Sequence, residues 1–169
     1  LQSWEILDVY RIATNSTKTI TTQGFSLGLN YYLDSKYTFN GNFSWNKLNK
    51  QIDDPIIPAY NTPEFKFNVG LSGKDISIEL NEKSLIKDIG FSFNYKWVQG
   101  FLFEGSPQFT GEVPTYGLLD LQVTKNIKKQ NLAIKIGASN ILNNRVLQVY
   151  GGPFIGRMAY ISLLFDFKD

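Results

Sequence analysis

The chain has 169 residues, a formal net charge of +2, neither cysteine nor histidine, and 43% hydrophobic residues. Without cysteine and histidine it cannot form disulfides, thiolate-ligated metal clusters or an imidazole-based catalytic site, so we expect no enzyme activity, no cofactor and no metal site. The small net charge, without a dense run of Lys or Arg, gives little reason to expect nucleic acid as a partner.

No run of about 18 apolar residues occurs, so the sequence predicts no transmembrane helix. A transmembrane β-barrel remains compatible with this composition, because its strands alternate apolar and polar side chains. The decisive pattern is therefore the alternation along the chain.

Eight segments alternate with period two and are predicted to be long β-strands. In the clearest of them, Ile89 and the following odd positions are mostly aromatic, while the even positions are mostly small or polar. The predicted strands, in chain order, are Trp4–Ile12, Phe25–Tyr32, Tyr37–Asn46, Phe65–Ser72, Ile89–Phe103, Leu119–Thr124, Leu132–Ser139 and Ala159–Phe167.

The connections between these strands alternate between short and long. Asp34–Lys36 and Asn126–Gln130 read as tight polar turns, whereas Asn49–Pro63, Glu104–Pro114 and Asn140–Gly156 are long and rich in Pro, Gly and Asn. The segment Asp75–Lys87 is an exception, being long where a short turn is expected. Its Ile76, Ile78 and Leu80 are candidates to extend the neighbouring strand.

Both a secreted β-sandwich and a membrane barrel have strands that alternate with period two. The length of the strands and the residue types on their polar face distinguish the two folds. Soluble strands average about 5 to 6 residues, while a tilted strand that crosses a bilayer needs about 9 to 11. The polar face here is mostly Asn, Ser, Gly, Thr and Gln, which suits a hydrated lumen. Aromatic residues near strand ends match the girdles of membrane barrels; they are Tyr37, Trp45, Trp97, Phe101, Phe103 and Phe167. The pattern favours an all-β, antiparallel transmembrane barrel segment of about eight meandering strands.

Several segments resemble strands of TonB-dependent outer-membrane receptors, particularly those of Bacteroidetes. Ile20–Tyr31 (ITTQGFSLGLNY) resembles one strand of that family, and Asn61–Leu71 (NTPEFKFNVGL) resembles the strand that follows it. The ending resembles the last three strands of the family through Tyr116–Asp120 (YGLLD), Gly137–Asn144 (GASNILNN), and Gly156-Arg157 followed by Phe165.

The resemblance implies a barrel of 22 strands filled by a plug domain, in the bacterial outer membrane. It implies active uptake of a scarce or bulky ligand such as a glycan, peptide or siderophore. Residues 1–169 are then expected to be the C-terminal part of the barrel, without the plug or the TonB box. Expected partners are the rest of the barrel and plug, the TonB–ExbB–ExbD system acting through the plug, the barrel-assembly machinery, outer-membrane lipid and a surface lipoprotein.

Two alternatives stay open at this point. Eight strands suffice to close a small free-standing outer-membrane barrel. A secreted carbohydrate-binding β-sandwich would show the same period.

The candidate ligand-binding residues are aromatic side chains predicted in or beside the long loops, where aromatic rings can stack on a sugar or a flat ligand. They are Tyr60, Phe103, Phe109, Tyr116 and Tyr150. Phe165 and Phe167, in the last strand, are by resemblance the signal read by the barrel-assembly machinery. The lumen-facing charges are expected to pair with one another or with plug groups; they are Lys66, Lys96, Lys135 and Asp120.

Overall fold

The computed structural model of the protein describes residues 21–49, 60–81, 84–105 and 109–167. Apart from 3-10 residues at Phe109 and Lys128–Gln130, its regular structure there consists of β-strands. The strands are β1 (Thr21–Tyr32), β2 (Tyr37–Asn49), β3 (Phe65–Asn81), β4 (Ser84–Val98), β5 (Phe101–Phe103), β6 (Gly111–Val113), β7 (Tyr116–Ile127), β8 (Leu132–Ser139), β9 (Val146–Leu147), β10 (Phe154–Ile155) and β11 (Met158–Phe165). The predicted strand Trp4–Ile12 and most of the predicted loop Asn49–Pro63 lie outside the described residues.

Seven of these strands form one antiparallel meander in the order β1-β2-β3-β4-β7-β8-β11. β5 pairs with β6 and β9 with β10 in separate two-stranded hairpins. Within the described ranges the main sheet is open, with β1 and β11 at its edges. The all-β, meandering antiparallel architecture predicted from the sequence is confirmed. In the same ranges, no helix is long and apolar enough to cross a membrane.

Strand register places most of the apolar side chains of the seven strands on one face of the sheet. Leu27, Phe43, Phe67 and Trp97 form one continuous row across β1 to β4. Such rows follow from the two-residue period, because residues that pair across neighbouring strands point to the same side. We call this side the apolar face and the opposite side the polar face.

The apolar face is almost free of charge. In the seven strands its charged residues are Lys47 and Lys125, which lie near opposite ends of the sheet. Between those two levels every described side chain on this face is uncharged. The face is also uncovered, since the side chain of Leu27 is 64% exposed and that of Ile161 is 72% exposed. In a β-sandwich, a second sheet would cover this face. Outside the main sheet, the described residues form only two short hairpins, which are too small to cover it.

Aromatic rings on the apolar face pack into a ladder at the end of the sheet where the long connections emerge. Phe25 lies 5.7 Å from Trp45, and Phe67 stacks on Trp97 at 5.5 Å between ring centroids. At the opposite end, Tyr37 lies 6.3 Å from Phe91. Tyr37, Trp45 and Trp97 therefore occupy the strand-end positions predicted for them.

The connections alternate in length as predicted. The described turns 33–36 and 128–131 connect strands at one end of the sheet, which we call the short-turn end. The described parts of the long connections, residues 60–64, 99–105, 109–115 and 140–157, lie at the other end, which we call the long-loop end. In the turn 33–36, the Asp34 carboxylate accepts hydrogen bonds from the backbone N–H groups of Lys36 and Tyr37, at 2.6 and 2.9 Å. These bonds lower the pKa of Asp34.

The exceptional segment Asp75–Lys87 is a strand extension, as its isoleucines indicated. β3 and β4 continue as a hairpin past the neighbouring turns, with register shifts at Asp75 and Asp88, whose φ angles are +51° and +58°. Each shift inserts one extra residue, so that the even-numbered residues beyond it lie on the apolar face in place of the odd-numbered ones. Ile76 therefore lies on the same face as Ile89. Lys128 anchors the base of the hairpin, with its Nζ 2.6 Å from the Asp88 carboxylate. That contact raises the pKa of Lys128.

One predicted strand, Ile89–Phe103, is wrong as a single element. β4 ends at Val98, and the chain leaves the main sheet at Gly100 before β5 begins. Gly100 N–H donates to Thr115 Oγ1 at 2.8 Å, and a Cβ at Gly100 would lie 2.8 Å from the carbonyl oxygen of Val113. This close approach turns the chain, although the alternating pattern continues through it. Phe101 and Phe103 consequently belong to the small hairpin and not to the ladder of the main sheet.

Candidate functional site

The described parts of the three long connections pack together at the long-loop end, and we call residues 60–64, 99–115 and 140–157 without 106–108 the loop layer. The most deeply buried apolar side chains lie in or beside it; they are Val98, Val113 and Val146, which are 4%, 1% and 1% exposed. The sheet itself contributes little interior, because both of its faces are open. The loop layer is therefore a folded structure in its own right, held to the strand ends below it.

Hydrogen bonds join the first and second long connections. Asn61 Nδ2 donates to the Glu104 carbonyl oxygen at 3.0 Å, and the Glu104 N–H donates to Asn61 Oδ1 at 2.7 Å. At the edge of the sheet, Trp45 Nε1 donates to Glu64 Oε1 at 3.2 Å. These contacts fix residues 60–64 against the end of β5.

Aromatic rings over glycines join the second and third long connections. The ring of Tyr150 covers Gly111 so closely that it leaves no room for a Cβ at that position. Gly151, with a φ of +77°, is covered in the same way by Phe109, at 2.8 Å from the position of a Cβ. Two of the predicted ligand-binding aromatics thus help to assemble the loop layer. Tyr150 and Phe109 remain 38% and 54% exposed.

The most connected residue of the loop layer is Asn140, which is 2% exposed. Its N–H donates to Asp120 Oδ1 at 2.8 Å, its Nδ2 donates to the Asn144 carbonyl oxygen at 2.7 Å, and its Oδ1 accepts from the Asn144 N–H at 3.0 Å. Asn144 Nδ2 in turn donates to the Gly117 carbonyl oxygen at 3.0 Å. We call Asp120, Asn140 and Asn144 the asparagine knot.

The asparagine knot and its neighbours connect the three motifs by which the end of the chain resembles the family. Asp120 comes from Tyr116–Asp120, and Asn140 and Asn144 come from Gly137–Asn144. The Arg157 N–H adds the third motif by donating to Asn143 Oδ1 at 3.1 Å. Sequence reasoning noted the motifs without this connection. The available signal was the clustering of asparagines after β8, since Asn adopts positive φ readily and Asn140 and Asn143 do so.

Tyr60 is placed between the loop layer and the polar face. It lines a groove of about 330 Å³ together with Gln99, Phe101 and Glu104. On its other side it borders a second cavity of about 360 Å³ over Gly24 on the polar face. An aromatic ring beside carboxylate and amide groups can stack on a ligand and orient it by hydrogen bonds. Of the five predicted aromatics, Tyr60 has the position best suited to touch a molecule passing from the loops to the polar face.

Phe103 and Tyr116, two of the aromatics predicted in or beside the long loops, both lie in strands. Phe103 is in β5, opposite Gly111. Tyr116 is the first residue of β7, opposite Val98 on the polar face. The structure therefore distributes the five aromatics over the whole loop layer and the rim of the sheet.

Phe165 and Phe167 remain together, although β11 ends at Phe165 and Phe167 follows it. Their ring centroids are 4.7 Å apart in an edge-on arrangement. Phe167 was predicted to be part of the last strand, and this is wrong. The Asp166 N–H donates to the Asn131 carbonyl oxygen at 2.9 Å and draws the end of the chain to the neighbouring turn.

The charged residues predicted to share the lumen side do share the polar face. Lys66, Lys96, Lys135 and Asp120 all point to it by register. They do not pair with one another, because none of the three lysines lies within 4.0 Å of a carboxylate of the described residues, and pairing with plug groups stays a prediction. Asp120 instead accepts from Asn140. The described residues also hold no group of three or more acidic side chains placed to bind a metal ion.

The model of the family described as TonB dependent receptor-like, β-barrel, matches residues 5–141. This range includes β1 to β8 and nearly all of the predicted strand Trp4–Ile12, and it ends at the second residue of the last long connection. A search of the curated proteins finds no match.

Proposed function

Because the chain belongs to the family of TonB-dependent receptor β-barrels, we propose that it forms part of the wall and ligand-capturing surface of an outer-membrane transporter. Members of this family are receptors and transporters. In our proposal residues 1–169 are the C-terminal part of the barrel, the apolar face meets lipid and the polar face lines the lumen. The protein moves a ligand and breaks no bond.

The observation that carries this proposal is the uncharged apolar face bounded by aromatic residues at both ends. The eight residue steps from Tyr37 to Trp45 extend about 26 Å along β2, at roughly 3.3 Å per residue. A strand tilted by about 40° then covers about 20 Å of the roughly 25 Å apolar band of such barrels. The strands therefore have the length and the surface that a lipid-facing wall requires.

The edges of the main sheet support a larger assembly. Both edge strands, β1 and β11, have exposed side chains along their whole length. A strand edge with unpaired N–H and C=O groups is not tolerated in hydrocarbon. We propose that further strands of the receptor pair with both edges, and that a plug fills the lumen and engages the TonB–ExbB–ExbD system.

The loop layer supports a role in capturing ligand. Its hydrogen bonds and ring contacts hold Tyr60 at the rim of the lumen, and rigid presentation of an aromatic group lowers the entropic cost of binding. We propose a ligand too bulky or scarce for passive diffusion, such as a glycan, peptide or siderophore. A surface lipoprotein that covers the loop layer and the barrel-assembly machinery that reads Phe165 and Phe167 complete the proposed partners.

Cysteine accessibility tests the proposed orientation. The sequence contains no cysteine. A cysteine introduced by Phe109→Cys in the loop layer or by Ser35→Cys in a short turn therefore shows whether that position is accessible to a thiol reagent. In intact cells that produce the full-length receptor, a membrane-impermeant maleimide is expected to label Phe109→Cys and leave Ser35→Cys unlabelled. Opening the outer membrane should make Ser35→Cys reactive. Labelling of Ser35→Cys in intact cells would contradict the proposed orientation.

A further inference from the structure

Two lysines lie close together on the polar face, just below the loop layer. Lys96 pairs with Asn68, and Lys66 lies two residues from Asn68 on β3. The two lysines are therefore diagonal neighbours on adjacent strands, at a usual separation of about 7 to 8 Å. Val98, two residues above Lys96, ends β4, which places the pair at the long-loop end.

The surroundings of the pair are polar and mostly neutral. Ser44 lies opposite Lys66 on the β2 side, and Asn68 lies opposite Lys96. Both can add hydrogen bonds to a group held between the ammonium groups. Lys66 is exposed and Lys96 is half-buried, so an incoming group has access to both.

The charge balance of the polar face leaves the pair uncompensated. In the main sheet without the β3–β4 extension beyond Gly73 and Phe91, this face carries three lysines, Lys66, Lys96 and Lys135, and one carboxylate, Asp120. Asp120 Oδ1 accepts from the Asn140 N–H at 2.8 Å. Neither Lys66 nor Lys96 forms an ion pair with a described residue. Neighbouring like charges on a sheet are destabilising, and an anion between them removes that cost.

We propose that Lys66 and Lys96 form an anion-binding subsite in the lumen wall, which takes a carboxylate or phosphate group. Each ammonium group donates a charge-assisted hydrogen bond to the anion, of about 2.7 to 2.9 Å. The subsite rests on the proposed function, because that function makes the polar face the lumen wall. Its occupant is an anionic group of the transported ligand or an acidic side chain from the part of the receptor that fills the lumen. Both present the same chemistry to the two lysines.

Lysine acetylation of the full-length receptor in detergent tests the subsite, with inorganic phosphate as the probe. Peptide mass spectrometry gives the acetylation rate of Lys66 and Lys96, with Lys135 on the same face as the matched control. At constant ionic strength, phosphate at twice its Kd is expected to slow both by about threefold, from the factor 1 + [L]/Kd, and to leave Lys135 unchanged. The Lys66→Gln variant should abolish the protection of Lys96.

The same measurement separates the two sources of the anion. If the receptor supplies the anion, Lys66 and Lys96 are acetylated slowly even without phosphate, and high salt increases their acetylation rates. If the ligand supplies it, they react as fast as Lys135 until phosphate is added. Reaction of both lysines at the rate of Lys135 under every phosphate and salt condition would overturn the subsite. That outcome leaves the cysteine-accessibility result untouched, so the two proposals fail separately.

Discussion

Replacement of Phe93 by Lys is expected to abolish accumulation of folded receptor in the outer membrane. Phe93 lies at the centre of β4 on the apolar face, opposite Leu71 and Leu121. A lysine facing lipid near the midplane costs about 2 to 4 kcal/mol, a large share of the 5 to 15 kcal/mol or so that stabilises a typical folded domain. The amount of heat-modifiable barrel in outer-membrane fractions measures the effect.

The adjacent position supplies the matched control. Asn94 points to the polar face, opposite Gly70 and Asp120. A lysine at position 94 enters a hydrated surface and faces a carboxylate, so Asn94→Lys should assemble at close to the normal level. Equal loss of both variants would show that β4 has no lipid-facing side.

Replacement of Asn140 by Ala is expected to loosen the loop layer and leave the sheet intact. The variant loses both hydrogen bonds between the Asn140 side chain and the Asn144 backbone, and it places Ala at a φ of +51°. Each bond contributes about 0.5 to 1.5 kcal/mol and the backbone strain about 1 kcal/mol. These losses add up to at least about 2 kcal/mol, so hydrogen exchange of the peptide 146–155 should accelerate by at least about 30-fold.

Asn131→Ala separates backbone strain from the hydrogen bonds of the asparagine knot. Asn131 has a φ of +50°, close to that of Asn140, and its side chain is exposed. Its replacement should accelerate exchange in the adjacent turn only. If Asn140→Ala changes the exchange of peptide 146–155 no more than Asn131→Ala does, the asparagine knot does not hold the loop layer together.

The regular part of the fold was predictable because one physical pattern determines it. Alternation with period two assigns every residue of a strand to a face, and the polar turns around Asp34 and Lys128 mark where the chain reverses. The seven strands of the main sheet, their order and their two faces follow from these signals. The lack of charge on one face between Lys47 and Lys125 is the feature from which we predict that this face meets lipid.

The rest of the fold depends on contacts between segments that are distant in the sequence, and local periodicity does not reveal such contacts. The turn at Gly100 is caused by Val113 and Thr115, and alternation continues through it, so β4 and β5 read as one strand. The bulges at Asp75 and Asp88 shift the phase of both strands by one residue each. Their signal in the sequence was the even-numbered Ile76 and Ile78 after a run of odd-numbered apolar residues.

The loop aromatics show the same limit. Composition identifies Tyr60, Phe109 and Tyr150 as rings near a polar rim. It does not show that Phe109 and Tyr150 cover glycines of a neighbouring connection. Packing therefore separates residues that assemble the loop layer from Tyr60, which faces the grooves.

A nitroxide scan along residues 119–124 of β7 tests most directly whether the apolar face meets lipid. Each position receives a single cysteine and a spin label in the full-length receptor reconstituted in bilayers. Collision with oxygen, which concentrates in lipid, is expected to peak at Leu119, Leu121 and Val123, and collision with a water-soluble nickel complex at the even positions between them. Equal nickel accessibility at odd and even positions would contradict the membrane-wall account.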